Sequence, residues 1–306
     1  MVAHDGRRCR SVASLSPQKV RILGIGAFAS VEAVIEPWTV KVDRAAEHIG
    51  ELRRSIGELK SSGDLAAVTD QQGSERVVRL VAKGEPAPRL SAIVGDVVHN
   101  LRSALDCVAV AACEVEQQRS LTETEEQLIQ FPVTKSAKDF DAEAQRRLLR
   151  AGDSSVDFIR SRQPWYFVDQ ASALGVKRHD SAVRHHQLST LAWLSNKDKH
   201  RRVHLTAWYP TDTWMAVPDG ITVQWRPGPG EWSDGAEIGR WLVSGRNAES
   251  VELGDNADVG LTLRHHLDLG WPEVDVVGFL TGLLGHVRDW VIMPLADEIG
   301  RTSKTT

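Results

Sequence analysis

One stretch limits the fold more than any other. Residues 90 to about 118 read as a single helix that carries two opposed stripes. At about 100° per residue, Val97, Leu101, Ala104, Leu105 and Val108 gather on one face. Asp96, His99, Asn100, Ser103 and Asp106 gather on the other, with Arg102 at the border. The apolar stripe has to be covered by neighbouring elements, whereas the polar stripe has to stay near water or find partners. The helix therefore sits at the edge of a core, one face inside and one outside.

The same helical period recurs elsewhere. Val42, Ala45, Ala46, Ile49, Leu52, Ile56 and Leu59 step by three and four residues after Pro37, and Ser61-Ser62-Gly63-Asp64 ends that run. Residues 74–84 read as a short strand. Helices are expected over 140–150 and 154–162, interrupted at Gly152, with Gln163-Pro164-Trp165 closing the region and a loop over 169–183. A further helix is expected from about Arg184 to Arg202. Beyond it the period changes to short β-branched and aromatic runs separated by Asp219-Gly220, Pro227-Gly228-Pro229-Gly230 and Asp234-Gly235, the pattern of an antiparallel meander. After Trp271-Pro272, Val276, Val277, Leu280, Leu283, Leu284, Val287 and Val291 form the apolar face of a last helix that should return to the N-terminal helices. Its Gly278-x-x-x-Gly282 spacing suits close helix packing.

These elements give an α+β fold, a helical bundle with an inserted small antiparallel sheet. The expected boundaries are an irregular tail over 1–36, the bundle over 37–202, the sheet over 203–270, the returning helix over 271–299 and a tail over 300–306. With 306 residues the chain is long enough for a sizeable core. A net charge of −4 argues against a general attraction to nucleic acid but leaves room for a local basic patch. Cys9, Cys107 and Cys113 make an odd set with no CxxC pair, which fits a reducing compartment better than a disulfide framework. No apolar run reaches the roughly 18 residues that span a bilayer, so a cytoplasmic protein without a membrane partner is expected. The basic segment before Ile22–Ala29 is read as a tail, with a signal segment or an upstream start as the alternatives.

Two polar clusters are candidates for chemistry. The first is Gly95–Asp106. In the plain reading Arg102 and Asp106 pair at i,i+4, while His99 and Asn100 bond nearby backbone. In the functional reading Asp96, His99, Asn100 and Ser103 line a cleft. The second cluster, Asn196-Lys197-Asp198-Lys199-His200-Arg201, closes a helix before the strands begin. A cationic helix end explains Lys199, His200 and Arg201 through the helix dipole, but not Asn196 or Asp198. If the two helices run antiparallel the clusters meet. His99 or His200 would then be a general base oriented by Asp96 or Asp198, and Arg102 or Lys199 would hold an anionic group. Asp96, His99, Asp198 and His200 are also a ligand set suited to a metal-dependent hydrolase, although neither a metal nor another cofactor is the first expectation. Eight of the ten tryptophans fall between 193 and 290, and alternation in strands makes them core residues first.

The two clusters resemble the signatures of a widespread, functionally uncharacterised bacterial family, with a helix of the form GDxxHNLRSALD and a downstream LxNxDKHR. Gly95, Asp96, His99, Asn100, Leu101, Arg102, Ser103, Ala104, Leu105 and Asp106 match the first. Leu194, Asn196, Asp198, Lys199, His200 and Arg201 match the second. Gln130-Phe131-Pro132 and Asp234-Gly235-x-Glu237-Ile238 add to the resemblance, which spans about 38–299. A looser similarity is to HEPN helical domains, among them defence and toxin ribonucleases, whose sign is Arg, four to six residues, then His. Arg178-x6-His185 has that spacing here, and the DKHR segment does not. The family resemblance brings no activity with it; the HEPN similarity and the two clusters together give the reading of a helical protein that binds or processes RNA or a nucleotide, in defence or stress. In that reading the clusters make His99, Arg102 and His200 central and Asp96, Asn100, Ser103, Asp106, Asn196, Asp198, Lys199 and Arg201 binding residues. A non-catalytic interaction module with a protein partner or a second copy is the alternative.

Overall fold

The structure, a computed structural model, describes residues 31–84, 88–177, 180–200, 205–208, 221–227, 233–245, 260–263 and 275–305. Helix α1 (Val31–Ser61) is followed by strands β1 (Leu65–Gln72) and β2 (Glu75–Ala82), then by α2 (Pro88–Gln117). The shorter helices are α3 (Glu123–Glu126), α4 (Ala137–Arg147), α5 (Asp153–Ser161), α6 (Pro164–Ala173), α7 (Asp180–His185) and α8 (Gln187–His200). Strands β3 (Leu205–Trp208), β4 (Ile221–Pro227), β5 (Glu237–Gly245) and β6 (Gly260–Leu263) come next. A continuous C-terminal helix consists of α9 (Val276–Gly285), a π-helical stretch His286–Ile292 and α10 (Met293–Thr305).

The α+β architecture follows from where the apolar stripes lead. The α2 stripe is wholly buried from Leu90 to Cys113 and packs along α1, whose Trp38, Val42, Ala45, Ile49, Leu52 and Ile56 are buried opposite it. Each such Leu, Ile or Val contributes about 1.5–3 kcal/mol by leaving water. The π-helical stretch and α10 close over α2, and α9 lies on α1. The last helix thus returns to the N-terminal helices as its stripe requires.

Helix α1 starts earlier than Pro37, at Val31, and holds the proline in its first two turns. At this seventh position proline lacks the N–H that would donate to the carbonyl four residues back, so the helix runs on past one missing backbone bond. Gln163-Pro164-Trp165 starts a helix where the sequence suggested an end, because Pro164 occupies the first turn of α6 and its fixed φ suits that position. The expected loop over 169–183 is mostly the rest of α6 and part of α7. The expected helix over 184–202 is broken at His186, whose Nδ1 accepts the Leu188 N–H at 3.2 Å and so starts α8.

The sheet takes in more of the chain than residues 203–270. Its order is β1-β2-β5-β4, all antiparallel, and β3 pairs separately with β6. A two-residue turn joins β1 to β2, with Gly73 at φ +63°. Strand β1 (LAAVTDQQ) carries few β-branched residues, so its own sequence hides it. It forms as an edge strand on β2, which is half apolar and largely buried. A bulge between Val78 and Arg79 shifts the β2–β5 register by one residue.

The spacing at Gly278 and Gly282 does not bring another helix close among the described residues. A side chain on Gly282 would meet nothing within 4 Å, and one on Gly278 would meet the capping carboxylate of Asp275. Both glycines face outward. The helix Val276–Arg301 is long and apolar enough to cross a membrane, with mean hydropathy 1.3 in its most apolar window, contrary to the expectation that no such stretch exists. Half of that window is buried against the rest of the fold, as in the core helix of a globular chain.

Candidate functional site

Helices α2 and α8 pack against each other with the end of α8 beside the start of α2. Gly95 makes this contact possible. A Cβ at residue 95 would lie 2.4 Å from Oδ1 of Asp198, so the carboxylate fills the space that any other residue would need. Three residues back along α8, Ser195 lies with Asn196 and Ala192 in a cleft shared with Arg102 and Asp106 of α2. The two clusters thus meet on an antiparallel helix pair.

At the Gly95 end, Asp198 faces Asp96 and His99. Partial burial and then the Asp96 carboxylate hold the Asp198 carboxyl above its usual range, while His99 pulls it down. Asp96 and His99 are exposed. Asn100 lies beside them and donates from Nδ2 to the Asp96 carbonyl at 2.8 Å, the local backbone contact of the plain reading. Ser103 is half-buried. Among the described residues, no group of three or more His, Cys, Asp or Glu side chains is placed to hold a metal ion. His200 and Lys199 end α8, but their side chains, and all of Arg201, lie outside the described residues. Arg178 also lies outside them.

One to two turns further along α2 the chemistry changes. Arg102 and Asp106 form the expected i,i+4 pair at 3.1 Å, and together they also grip residue 131. The Arg102 guanidinium donates to the Phe131 carbonyl, and the Phe131 N–H donates to Asp106 Oδ1 at 2.8 Å. The other side of this extended segment is held by Gln163, which is 0 % exposed. Its Oε1 accepts from the Thr134 N–H at 3.0 Å and from the Thr134 hydroxyl at 3.2 Å. Its Nε2 donates to the carbonyls of Pro132 at 2.9 Å and Ile159 at 3.2 Å. Trp165 Nε1 completes the network on Thr134 Oγ1 at 3.1 Å. Gln130–Lys135 is therefore a rigid strip, clamped from both sides, that forms one wall of the cleft.

The cleft encloses about 440 Å³. Arg102, Lys135 and Arg147 bring positive charge to it, and Asp106, Asp139 and Glu143 negative charge. Much of this charge is already matched: Arg147 bonds Glu143 at 2.7 Å and also reaches Gln130 Oε1. Glu143 is held below the usual carboxylate range by Arg146 and Arg147. Lys197, inside the second cluster, turns back over the Trp193 ring at 5.3 Å.

Sequence reasoning missed the Gln163 network and the α4 wall of the cleft. Gln163 had a signal, a polar residue directly before a helix-starting Pro-Trp pair. Glu143 and Arg147 had none, since an i,i+4 charge pair on a short helix looks like any solvated face. Among the tryptophans, Trp38, Trp165 and Trp241 are core residues, whereas Trp290 is 58 % exposed.

No family model, curated protein or solved structure matches the chain.

Proposed function

We propose that the groove between α2 and α8 binds a nucleotide or a nucleotide end of RNA, in a cytoplasmic, HEPN-like protein, with His99 and Asp198 as the pair able to move a proton. The observation that carries this reading is the Asp198 carboxylate. It is seated on Gly95 beside Asp96 and His99, and its carboxyl is held above its usual range there. The adjoining cleft has a volume suited to a small polar ligand and offers hydrogen-bonding groups of both kinds, Asn196, Ser195 and Gln130, with Lys135 at its edge. Lys199, His200 and Arg201 would add positive charge at the end of α8.

The test is direct titration of a nucleoside 5′-monophosphate and of a short single-stranded RNA, alongside an RNA-cleavage assay. His99→Gln and Asp198→Asn should each weaken binding about tenfold or more, the loss expected for one charge-assisted hydrogen bond. The double variant of His99 and His200 should lose any cleavage. A purified protein that neither binds nor cuts RNA or nucleotide removes this reading.

One observation favours the alternative of a non-catalytic interaction module. Arg102 and Asp106 are engaged with each other and with the Phe131 backbone, so the stripe's strongest donor is already committed to structure. Turnover that depends on His99 would decide against the module.

A further inference from the structure

A second polar cluster lies away from the α2–α8 groove, where four elements meet. His186, at the α7–α8 break, stacks on Phe167 of α6 with ring centroids 5.4 Å apart. Edge-on to it stands His286, at 5.1 Å between centroids and 81° between planes. His286 is the first residue of the π-helical stretch. A π turn widens the helix locally and is found disproportionately where a side chain serves a function. Arg162, at the end of α5, completes the group, its guanidinium 4.5 Å over the Phe158 ring. Its charge reaches His286, and that of His286 reaches His186.

The cluster has two unusual properties. The first is that three groups able to carry positive charge converge, and among the described residues no carboxylate shifts any of them: burial lowers all three, with Arg162 adding to it at His286 and His286 adding to it at His186. Most of the described arginines are instead paired with Asp or Glu, as Arg147, Arg160 and Arg240 are. The second is that two buried polar atoms lack hydrogen-bond partners among the described residues: Arg162 Nε, a donor, and Gln187 Oε1, an acceptor next to His186 in the chain. An unmatched buried polar group costs about 1–3 kcal/mol, and of the two it is the Arg162 donor that an acceptor from outside the described residues would satisfy.

We infer that Arg162, His186 and His286 form an oxyanion site that takes a phosphoryl group. A phosphoryl oxygen accepts the buried Arg162 N–H. Because His186 Nδ1 already accepts from the Leu188 N–H, this ring is neutral and presents Nε2–H as a second donor. His286 supplies the third donor and becomes fully charged once the anion offsets Arg162. Burial holds both imidazoles below their usual range, His186 at about 4, so the empty site is uncharged on its histidines at neutral pH and gains a proton on binding. Binding of an oxyanion that does not itself titrate, such as sulfate, therefore tightens as pH falls from 8 to 6, whereas phosphate gains a proton of its own over that range. This site stands independently of the α2–α8 groove.

Inorganic phosphate is the probe, titrated calorimetrically at pH 6 in two buffers of different ionisation enthalpy. A nucleoside 5′-monophosphate forms the second arm. The expected result is saturable one-to-one binding, weakened about tenfold or more by Arg162→Gln, with a net proton uptake for sulfate, which does not titrate, that His286→Gln removes. In the His99→Gln background, which weakens the groove, equal affinity for the two probes assigns the site to a free phosphate, and tighter binding of the monophosphate that Arg162→Gln removes assigns it to a nucleotide. His99→Gln should leave phosphate binding unchanged, which separates this site from the groove. If Arg162→Gln does not fold, the histidine proton resonances of the unaltered protein decide: two imidazole signals must shift with phosphate. The inference is overturned by no saturable binding below about 10 mM, or by binding that neither folded variant nor pH affects.

Discussion

The two ends of the α2 polar stripe lie on one helix and look alike in sequence, yet the fold treats them differently. At the C-terminal end Arg102 and Asp106 satisfy each other and both backbone groups of Phe131. At the N-terminal end Asp96 and His99 remain exposed, and Asp198 is brought against them although Asp96 repels it. A polar side chain that closes backbone hydrogen bonds inside the fold is structural. A carboxylate held where its charged form is disfavoured weakens the fold, and such placements concentrate at functional sites. The comparison thus separates scaffold from candidate site within three helical turns.

The strongest way to break the contrast is to attack the scaffold. Gln163→Leu leaves the Thr134 N–H and the Pro132 carbonyl without their side-chain partner in a fully buried place. It should cost about 3 kcal/mol in urea unfolding, with the slope unchanged. Next in size is Asp106→Ala, which frees the Phe131 N–H and one side of Arg102. Both side chains are partly exposed, so about 1–2 kcal/mol is expected. A loss at Asp106 equal to that at Gln163 would mean that the pair is more fully desolvated than it looks.

The other end should respond in the opposite sense. Gly95→Ala forces the Asp198 carboxylate off its seat, and because that carboxylate can swing toward solvent the stability loss should stay below about 1 kcal/mol. Ligand binding in the groove should nonetheless fall as far as in Asp198→Asn. A large stability loss with binding intact would make Gly95 a packing residue and no more. The smallest stability effect belongs to Asp198→Asn itself. The Asp198 carboxyl titrates higher in the folded chain than in the unfolded one, so the folded state binds more protons between those two values and stability falls as pH rises through them. At neutral pH the ionised carboxylate is therefore a small burden, and its removal should leave the unfolding midpoint unchanged or slightly raised. A lowered midpoint would show that Asp198 is a structural partner like Asp106.

How much of this was legible beforehand depended on whether a residue's role was set by near neighbours in the chain. The opposed stripes of α2 fixed its burial correctly, because helical geometry alone decides which of its residues share a face. The Arg102–Asp106 pair followed from i,i+4 spacing in the same way. The grip on Phe131 did not, since it joins residues 25 and 29 positions apart. Strand β1 was hidden because Ala66, Ala67, Asp70 and Gln71 have little strand preference, and its pairing with β2 overrides that. The histidines at 186 and 286 lie a hundred residues apart, and their encounter depends on the helix break at one and the π turn at the other.

The sequence by itself determined the α+β class, the returning C-terminal helix and the existence of two polar clusters, because apolar periodicity and local charge spacing are physical facts of short stretches. Only the tertiary structure decided that the clusters meet through Gly95 and Asp198, and that half of the first cluster is scaffold. The fate of a polar group depends on which distant partner satisfies it, and that partner is chosen by packing.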